Sequence, residues 1–253
     1  MYFSGYAGTF GTDDPECRRN IRLKAAHTFR VCREAEKLAQ SENFSEREKN
    51  LLFHAAMLHD FSRFEQIIRF KTMNDLESFD HGERSFEQVS ERKEELLGEF
   101  DAASQQIILC AVRYHNRRNI PAGLTADEEK ILCAVRDADK TDIMKILIDY
   151  LKNPENPAIV YKLSGTGGLS SDVKSVLLAG KSPDNRMLQS RLDFLAAKFA
   201  WGYDLKSGWS CREFLKRRYM QTLRSLLPQD MPVLDEISNN VIAFMQKKGN
   251  GNV

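Results

Sequence analysis

His59 stands directly before Asp60 at the end of an apolar run, LLFHAAMLHD, in a chain of 253 residues that has only five histidines. A second histidine, His27, lies upstream in RLKAAHTFRV, and an acidic cluster, RDADKTD, lies downstream with Asp139 at its centre. Each falls on what should be a buried helical face. A carboxylate taken out of water without a partner is costly, so a cation belongs among these groups. A divalent metal is the simplest candidate. Taken alone, His27 or His59 would read as a core histidine with a bonded ring. Together with Asp60 and Asp139 they read as nitrogen and oxygen donors suited to Zn, Mn, Fe, Ni or Co.

Such donors must be carried by elements that face one another, and the chain reads as helical nearly throughout. Asp14-Pro15 reads as a cap followed by a first-turn proline, and it opens a helix to about residue 40 with Ile21, Leu23, Ala26, Phe29, Val31, Ala35 and Leu38 at helical spacing. Ser45-Glu46-Arg47-Glu48 is a capping box opening the helix that ends at His59-Asp60, apolar almost all round from Leu51 to Leu58. A short helix from about Ser62 to Phe70, a helix from about Gly82 to Leu97, and one capped by Asp101 and carrying Ile107, Ile108, Ala111, Val112 and His115 follow. After a break at Asn119–Gly123, a second capping box at Thr125–Glu128 starts a long helix with Ile131, Leu132, Val135, Asp139 and Asp142. On these helices His27, His59, His115 and Asp139 lie three or four residues from apolar neighbours, along core-facing stripes.

Past residue 152 the signals weaken. Asn153-Pro154-Glu155-Asn156-Pro157 is a break, and 164–172 and 180–185 are rich in turn-forming residues. Helices are expected near 184–201, 210–226 and 232–247, with a fraying tail at 247–253. Phe194, Phe199, Trp201, Tyr203 and Trp209 read as core of these helices, and Trp201-Gly202-Tyr203-Asp204 as a helix end with Gly202 near the position after the cap. There is no internal repeat and no strand-like alternation. The expected organisation is a site-bearing domain over 1–150 and a C-terminal helical extension over 151–253 packed on the same domain.

Composition narrows the function classes. With 42% hydrophobic and 29% charged residues the chain resembles an ordinary globular protein. Its 37 basic and 36 acidic residues nearly cancel, so no global field draws nucleic acid or anionic lipid, and neither is expected as a partner. Apolar stretches fall short of the ~18 residues that span a bilayer. The N-terminus, MYFSGYAGTFGTDD, lacks the pattern of a secretory signal. Five cysteines, Cys17, Cys32, Cys110, Cys133 and Cys211, include no CxxC pair. That argues against a zinc ribbon or a disulfide framework and for a reducing, cytoplasmic setting.

The order His27, His59-Asp60, Asp139 resembles the H…HD…D signature of the HD-domain superfamily of metal-dependent phosphohydrolases, over roughly residues 15–150. The resemblance implies an all-α HD-domain helical bundle in which His27, His59, Asp60 and Asp139 hold a divalent ion (Mn, Fe, Co, Ni, Zn or Mg). Ala138-Asp139-Lys140-Thr141-Asp142 matches the context of the last ligand, which selects Asp139 over Asp137. The chain reads HDFSR where many members read HD-[IL]-G-K, so the basic residue is retained as Arg63. No GYP-type sequence follows, and no synthetase signature accompanies it. Some members carry H…HD…H…H…D and two metals bridged by the HD aspartate. By that resemblance His81 and His115 bind a second metal or a substrate phosphate.

The implied chemistry is hydrolysis of a nucleotide or other small phosphate ester. A divalent ion lowers the pKa of bound water from ~15.7 toward ~7 and neutralises charge on the phosphoryl oxygens. Asp60, Arg63, His81 and His115 form the expected catalytic set. Arg63, Arg117 and Arg118 offer forked donors to phosphate; Lys140 points at a different helical angle. Asp137, Asp142 and Glu65 are candidates for orienting the histidines. His54, about 140° around the helix from His59, reads as structural, and residues 91–95 as an exposed charged face. Two alternatives stay open: a dinuclear-iron oxygenase of the same superfamily, and a non-catalytic module that senses a nucleotide or phosphate. Oligomeric state is left open.

Overall fold

A computed structural model describes residue 8, residues 10–153 and residues 167–251. Among them every regular element is a helix, and none is long and apolar enough to cross a membrane. The expected break at Pro154–Pro157, the first part of the 164–172 loop, the N-terminal segment 1–7 and the last two residues of the tail lie outside the described residues. The chain divides into two compact units, Met1–Asp142 and Ile143–Val253. The division falls inside a helix. Turn residues mark where a helix ends, whereas compactness is decided by contacts distant in sequence.

The first unit contains α1 (Pro15–Ser41), α2 (Glu46–Leu58), α3 (Arg63–Phe70), α4 (His81–Glu91), α5 (Lys93–Leu97), α6 (Ala102–Tyr114) and the start of α7 (Ala126–Lys152). Local chemistry sets their starts. Asp14 accepts from the Glu16 and Cys17 N–H groups at 2.9 and 3.2 Å with Pro15 in the first turn. Ser45 and Glu48 close a reciprocal box at α2, Thr125 and Glu128 do the same at α7, and the Asp101 side chain caps α6. Helix α1 packs on α2 and α3, and α6 packs on α2 and α4. Between them Val31, Leu38, Leu52, Ala55, Phe61, Phe64, Ile108 and Val112 are buried, at about 1.5–3 kcal/mol for each large side chain.

Helix α2 is less enclosed than its sequence suggests: Phe53 is 45% exposed. On α1, Ala26 and Phe29 also face solvent, because the buried stripe runs instead through Ile21, His27, Thr28, Val31 and Ala35. The helix expected over 82–97 is interrupted at Arg92, whose ψ of 25° leaves the helical range.

The second unit is built around α13 (Pro232–Gly249), against which α8 (Ser171–Leu178), α10 (Trp201–Asp204), α11 (Gly208–Lys216) and α12 (Tyr219–Ser225) pack; α9 (Arg191–Ala196) lies between α8 and α10 in the chain. Its core gathers Leu177, Phe199, Phe214, Met220, Leu223, Ile237, Val241 and Met245. The helices expected near 184–201 and 210–226 are each broken, the second at Arg218, whose φ of 54° is left-handed. Helix α8 begins where the sequence suggested only a loop. Segments this short gain their helicity from burial more than from propensity. Gly202 is a correction as well: it lies within α10 and has no positive φ. A Cβ there would collide with Val241 Cγ1 and come 3.1 Å from Met245 Sδ, so glycine permits close approach to α13.

Candidate metal centre

Helix α2 ends at Leu58, and the next residues turn sharply before α3. The Phe61 N–H donates to the Leu58 carbonyl and the Arg63 N–H to the Asp60 carbonyl. That turn swings His59 and Asp60 inward, where both are buried. His27 approaches from α1, Asp139 from α7, His81 from the first turn of α4 and His115 from the C-terminus of α6. All lie in the first unit.

Asp60 stands between two groups of donors. Its Oδ2 faces His27 Nε2 at 3.6 Å and His59 Nε2 at 3.5 Å. Asp139 Oδ1 completes that side, 3.1 Å from His27 Nε2 and 3.8 Å from His59 Nε2. Asp60 Oδ1 faces His81 Nε2 at 3.5 Å and His115 Nε2 at 3.8 Å. The sequence-selected residues His27, His59, Asp60, His81, His115 and Asp139 are thus brought to one place, on two sides of one carboxylate.

The histidines are oriented by what their other nitrogens do. His59 Nδ1 lies 2.7 Å from the Ala56 carbonyl and His115 Nδ1 2.8 Å from the Val112 carbonyl. A carbonyl only accepts, so Nδ1 carries the proton and Nε2 presents a lone pair. His27 Nδ1 meets Asp142 Oδ2 at 2.7 Å, and Arg30 holds Asp142 through its Nε at 2.7 Å. His81 Nδ1 meets Asp75 Oδ2 at 2.5 Å. This is the arrangement by which carboxylates and carbonyls fix metal-binding imidazoles.

The Nε2 atoms of His27 and His59 are then short of partners. Among the described residues His27 Nε2, His59 Nε2 and Asp139 Oδ1 are buried with no hydrogen bond, yet they lie within 4.8 Å of one another. His81 Nε2 and His115 Nε2 stand 3.0 Å apart, which with both rings neutral and protonated at Nδ1 sets lone pair toward lone pair. Such an arrangement is repulsive unless positive charge lies among the donors. Two sets, His27 with His59 and Asp139, and His59 with Asp60 and His115, are spaced to hold a metal ion. The donor set and its orphaned atoms therefore fit a divalent cation.

Electrostatics agree with that picture. Burial would raise the Asp60 pKa, but the charges of Lys24, His59 and Arg63 hold it well below the usual carboxylate range. Asp139 is likewise lowered against its burial, by His27 and His59, and Asp142 by His27 and Arg30. His115 is pushed well below the ordinary histidine value by burial and by the neighbouring His81 and His59; burial and Arg63 lower His81. His59 goes the other way: burial depresses it, but Asp60 and Asp139 more than offset this. The centre carries fixed negative charge, and on the His81 and His115 side burial favours neutral nitrogen donors.

Several positioning residues escape a reading of the sequence. Lys24, one turn before His27, puts Nζ 2.5 Å from Asp60 Oδ2; its spacing from His27 was the one available signal. Ser62 donates through Oγ to the His81 carbonyl at 2.9 Å, tying the turn after Asp60 to the start of α4. Gly82 lets α4 touch α6, since a Cβ there would sit 2.8 Å from the Arg113 carbonyl oxygen and collide with Asn116. Arg136, buried, donates to the carbonyls of His115 at 3.0 Å and of Arg117, closing the end of α6 that carries His115.

Other expected roles fall elsewhere. Glu65 binds Arg84 at 2.9 Å, Gln88 at 2.6 Å and Arg69 at 2.5 Å, not a histidine; Asp75, at the start of a short 3-10 helix before α4, takes that role. Arg117 pairs with Asp80 at 2.9 Å. Arg63 donates to the Met73 carbonyl at 2.7 Å and to Asp75 at 2.9 Å while facing Asp60 and His81. His54 accounts for both ring nitrogens with the Asn50 carbonyl and Glu99, as a structural histidine would.

Residues 25–144 match the family model of the HD domain, a stretch that encloses all of these donors. No curated protein and no solved structure gives a significant match.

Proposed function

Since residues 25–144 of this chain match the HD-domain family model, we propose that the protein is a metal-dependent phosphohydrolase acting on a nucleotide or another small phosphate ester. His27, His59, Asp60 and Asp139 would hold the divalent ion; Arg63, His81 and His115 would face the phosphate. The observation that carries the metal assignment is the convergence of orphaned His27 Nε2, His59 Nε2 and Asp139 Oδ1 beside Asp60 Oδ2. A divalent ion there would supply Lewis acidity, lowering the pKa of water toward ~7 and offsetting charge on a phosphoryl group.

The chain's own residues supply the rest. Asp142 with Arg30, and the Ala56 carbonyl, keep two imidazoles aimed at the centre. Burial of His59, His81 and His115 lowers the local dielectric, so each charge in the centre acts more strongly on a bound anion. Arg63 presents a planar guanidinium, anchored by Asp75, on the Asp60 side that faces His81 and His115. The placement of both Asp60 oxygens favours a second reading of the same donors, a dinuclear centre that would also suit iron and oxygen chemistry.

Metal analysis coupled to a phosphate-release screen with Mn, Co, Ni, Mg and chelator tests the proposal. Chelator-sensitive phosphate release that is lost in His59→Ala and Asp60→Ala is the expected result. Two irons per chain with O₂ consumption and no phosphate release would select the oxygenase reading instead. Tight nucleotide binding without turnover in any metal would select a sensor.

A further inference from the structure

The two sides of Asp60 differ in the cation that already attends each oxygen. At Oδ2 that cation is Lys24, an ammonium on a four-carbon stem whose partner among the described residues is Asp60 itself. At Oδ1 it is Arg63, with Nε at 3.4 Å and Nη2 at 3.3 Å from His81 Nε2. Arg63 has no comparable freedom. Its Nη1 donates to Gln66 Oε1, to the Met73 carbonyl at 2.7 Å and to Asp75 Oδ1 at 2.9 Å, and the residue is buried. Gln66 and Asp75 are themselves joined at 3.2 Å.

The donor sets are unequal too. His27 and His59 have Asp139 besides the shared Asp60, whereas His81 and His115 have only Asp60 within the distances given above. Asp75, the nearest further carboxylate, is already spent on His81 Nδ1 and Arg63.

Resting on the metal-centre reading above, we propose that the centre is asymmetric by design of charge. It binds one divalent ion tightly at His27, His59, Asp60 and Asp139, and the immobile Arg63 guanidinium keeps His81, His115 and Asp60 Oδ1 from holding a second ion with comparable affinity. Lys24 can swing away from Oδ2 when an ion arrives. Arg63 cannot leave Oδ1 without breaking its anchors to Met73 and Asp75. A second dication beside it would meet a like charge in a buried, low-dielectric setting, where repulsion is weakly screened. On that side Arg63 supplies the positive charge that the facing His81 and His115 lone pairs require.

The test is equilibrium dialysis of the full chain against Mn²⁺, with metal counted by elemental analysis and spin coupling read by electron paramagnetic resonance. The wild type should take up one Mn²⁺ per chain with an uncoupled spectrum and a second only about 10–100-fold more weakly, the range over which neighbouring groups tune metal affinity. Arg63→Gln, which removes charge but keeps a donor and an acceptor, should tighten the second ion by a similar factor and give a coupled spectrum. Arg63→Lys, which keeps the charge but loses the anchored guanidinium, should tighten the second ion by less than Arg63→Gln. Two equally tight ions in the wild type overturn the inference while leaving the metal centre standing, as does an equal shift in both variants. A wild type that takes up no Mn²⁺ overturns the metal-centre reading and the inference together. Should Arg63→Gln fail to fold by circular dichroism, the wild-type stoichiometry decides alone.

Discussion

The two units of the chain bury polar groups in different ways. In the second unit the buried carboxylate of Asp193 accepts from the Ser170 and Gln189 N–H groups at 2.8 and 3.0 Å, and buried Arg224 grips Asp235 at 2.7 and 2.9 Å. Those partners fix the path of the chain and are the ordinary means by which buried polarity is satisfied. In the first unit His27, His59 and Asp139 bring together buried atoms that no hydrogen bond among the described residues satisfies, whereas the second unit's cases, Ser170 Oγ and Gln221 Oε1, are single atoms; the other nitrogens or neighbours of the first unit's cluster are tied. A satisfied group holds a fold together. An orphaned one whose orientation is nonetheless fixed is aimed at something that binds.

This contrast has measurable consequences, the largest at Asp60. Asp60→Asn removes the one carboxylate shared by both sets of donors. It should abolish metal retention and lower phosphate release by about three orders of magnitude, ~4 kcal/mol of transition-state stabilisation; retained metal with unchanged rate would sink the assignment. In the second unit Phe199→Ala should behave oppositely. It should cost ~3–5 kcal/mol in denaturant unfolding, as for other buried aromatics, with metal stoichiometry unchanged in protein that remains folded.

Smaller effects come from groups that act through others. Asp142→Asn leaves His27 in place but loosens its ring, and metal affinity should fall ~10–100-fold by dialysis with little change in melting temperature. Gly82→Ala forces α4 away from α6 and should cost ~1–3 kcal/mol, visible in chemical unfolding.

The smallest effect is at the start of α2, far along the helix from the site. Ser45→Ala should cost ~1 kcal/mol. Lys130 and the Ser45 N–H lower the Glu48 pKa from 4.5 to about 2, so its contribution to stability is full above about 4.5 and is lost as pH falls through about 2. The difference in melting temperature between wild type and Glu48→Gln should therefore shrink across that window. A difference that grows there would mean the box is not formed.

Much of this architecture was legible one residue at a time. Asp14, Ser45, Asp101 and Thr125 each begin a helix, because a cap acts within four residues and needs no distant partner. The weaker readings concern the second unit and the edges of the first. Helix α8, the kink at Arg218 and the place of Gly202 follow from packing against α13, which no local pattern encodes. Ala26 and Phe29 look like core by spacing but face solvent, since several apolar stripes can be drawn on one helix and only neighbours choose among them.

The same division runs through the site. By sequence alone, residue type on apolar helical faces picked out His27, His59 with Asp60, and Asp139 as donors that need a cation, and the resemblance to HD domains added His81 and His115. Only the tertiary structure decided that each Asp60 oxygen faces a different pair of histidines, that Asp75 rather than Glu65 orients His81, and that Lys24 and Arg63 attend opposite sides of one carboxylate. Those facts depend on where helices and loops distant in the chain come to lie within a few ångströms. Hydrogen bonds and charge interactions act over that range and leave no periodicity in the sequence to read.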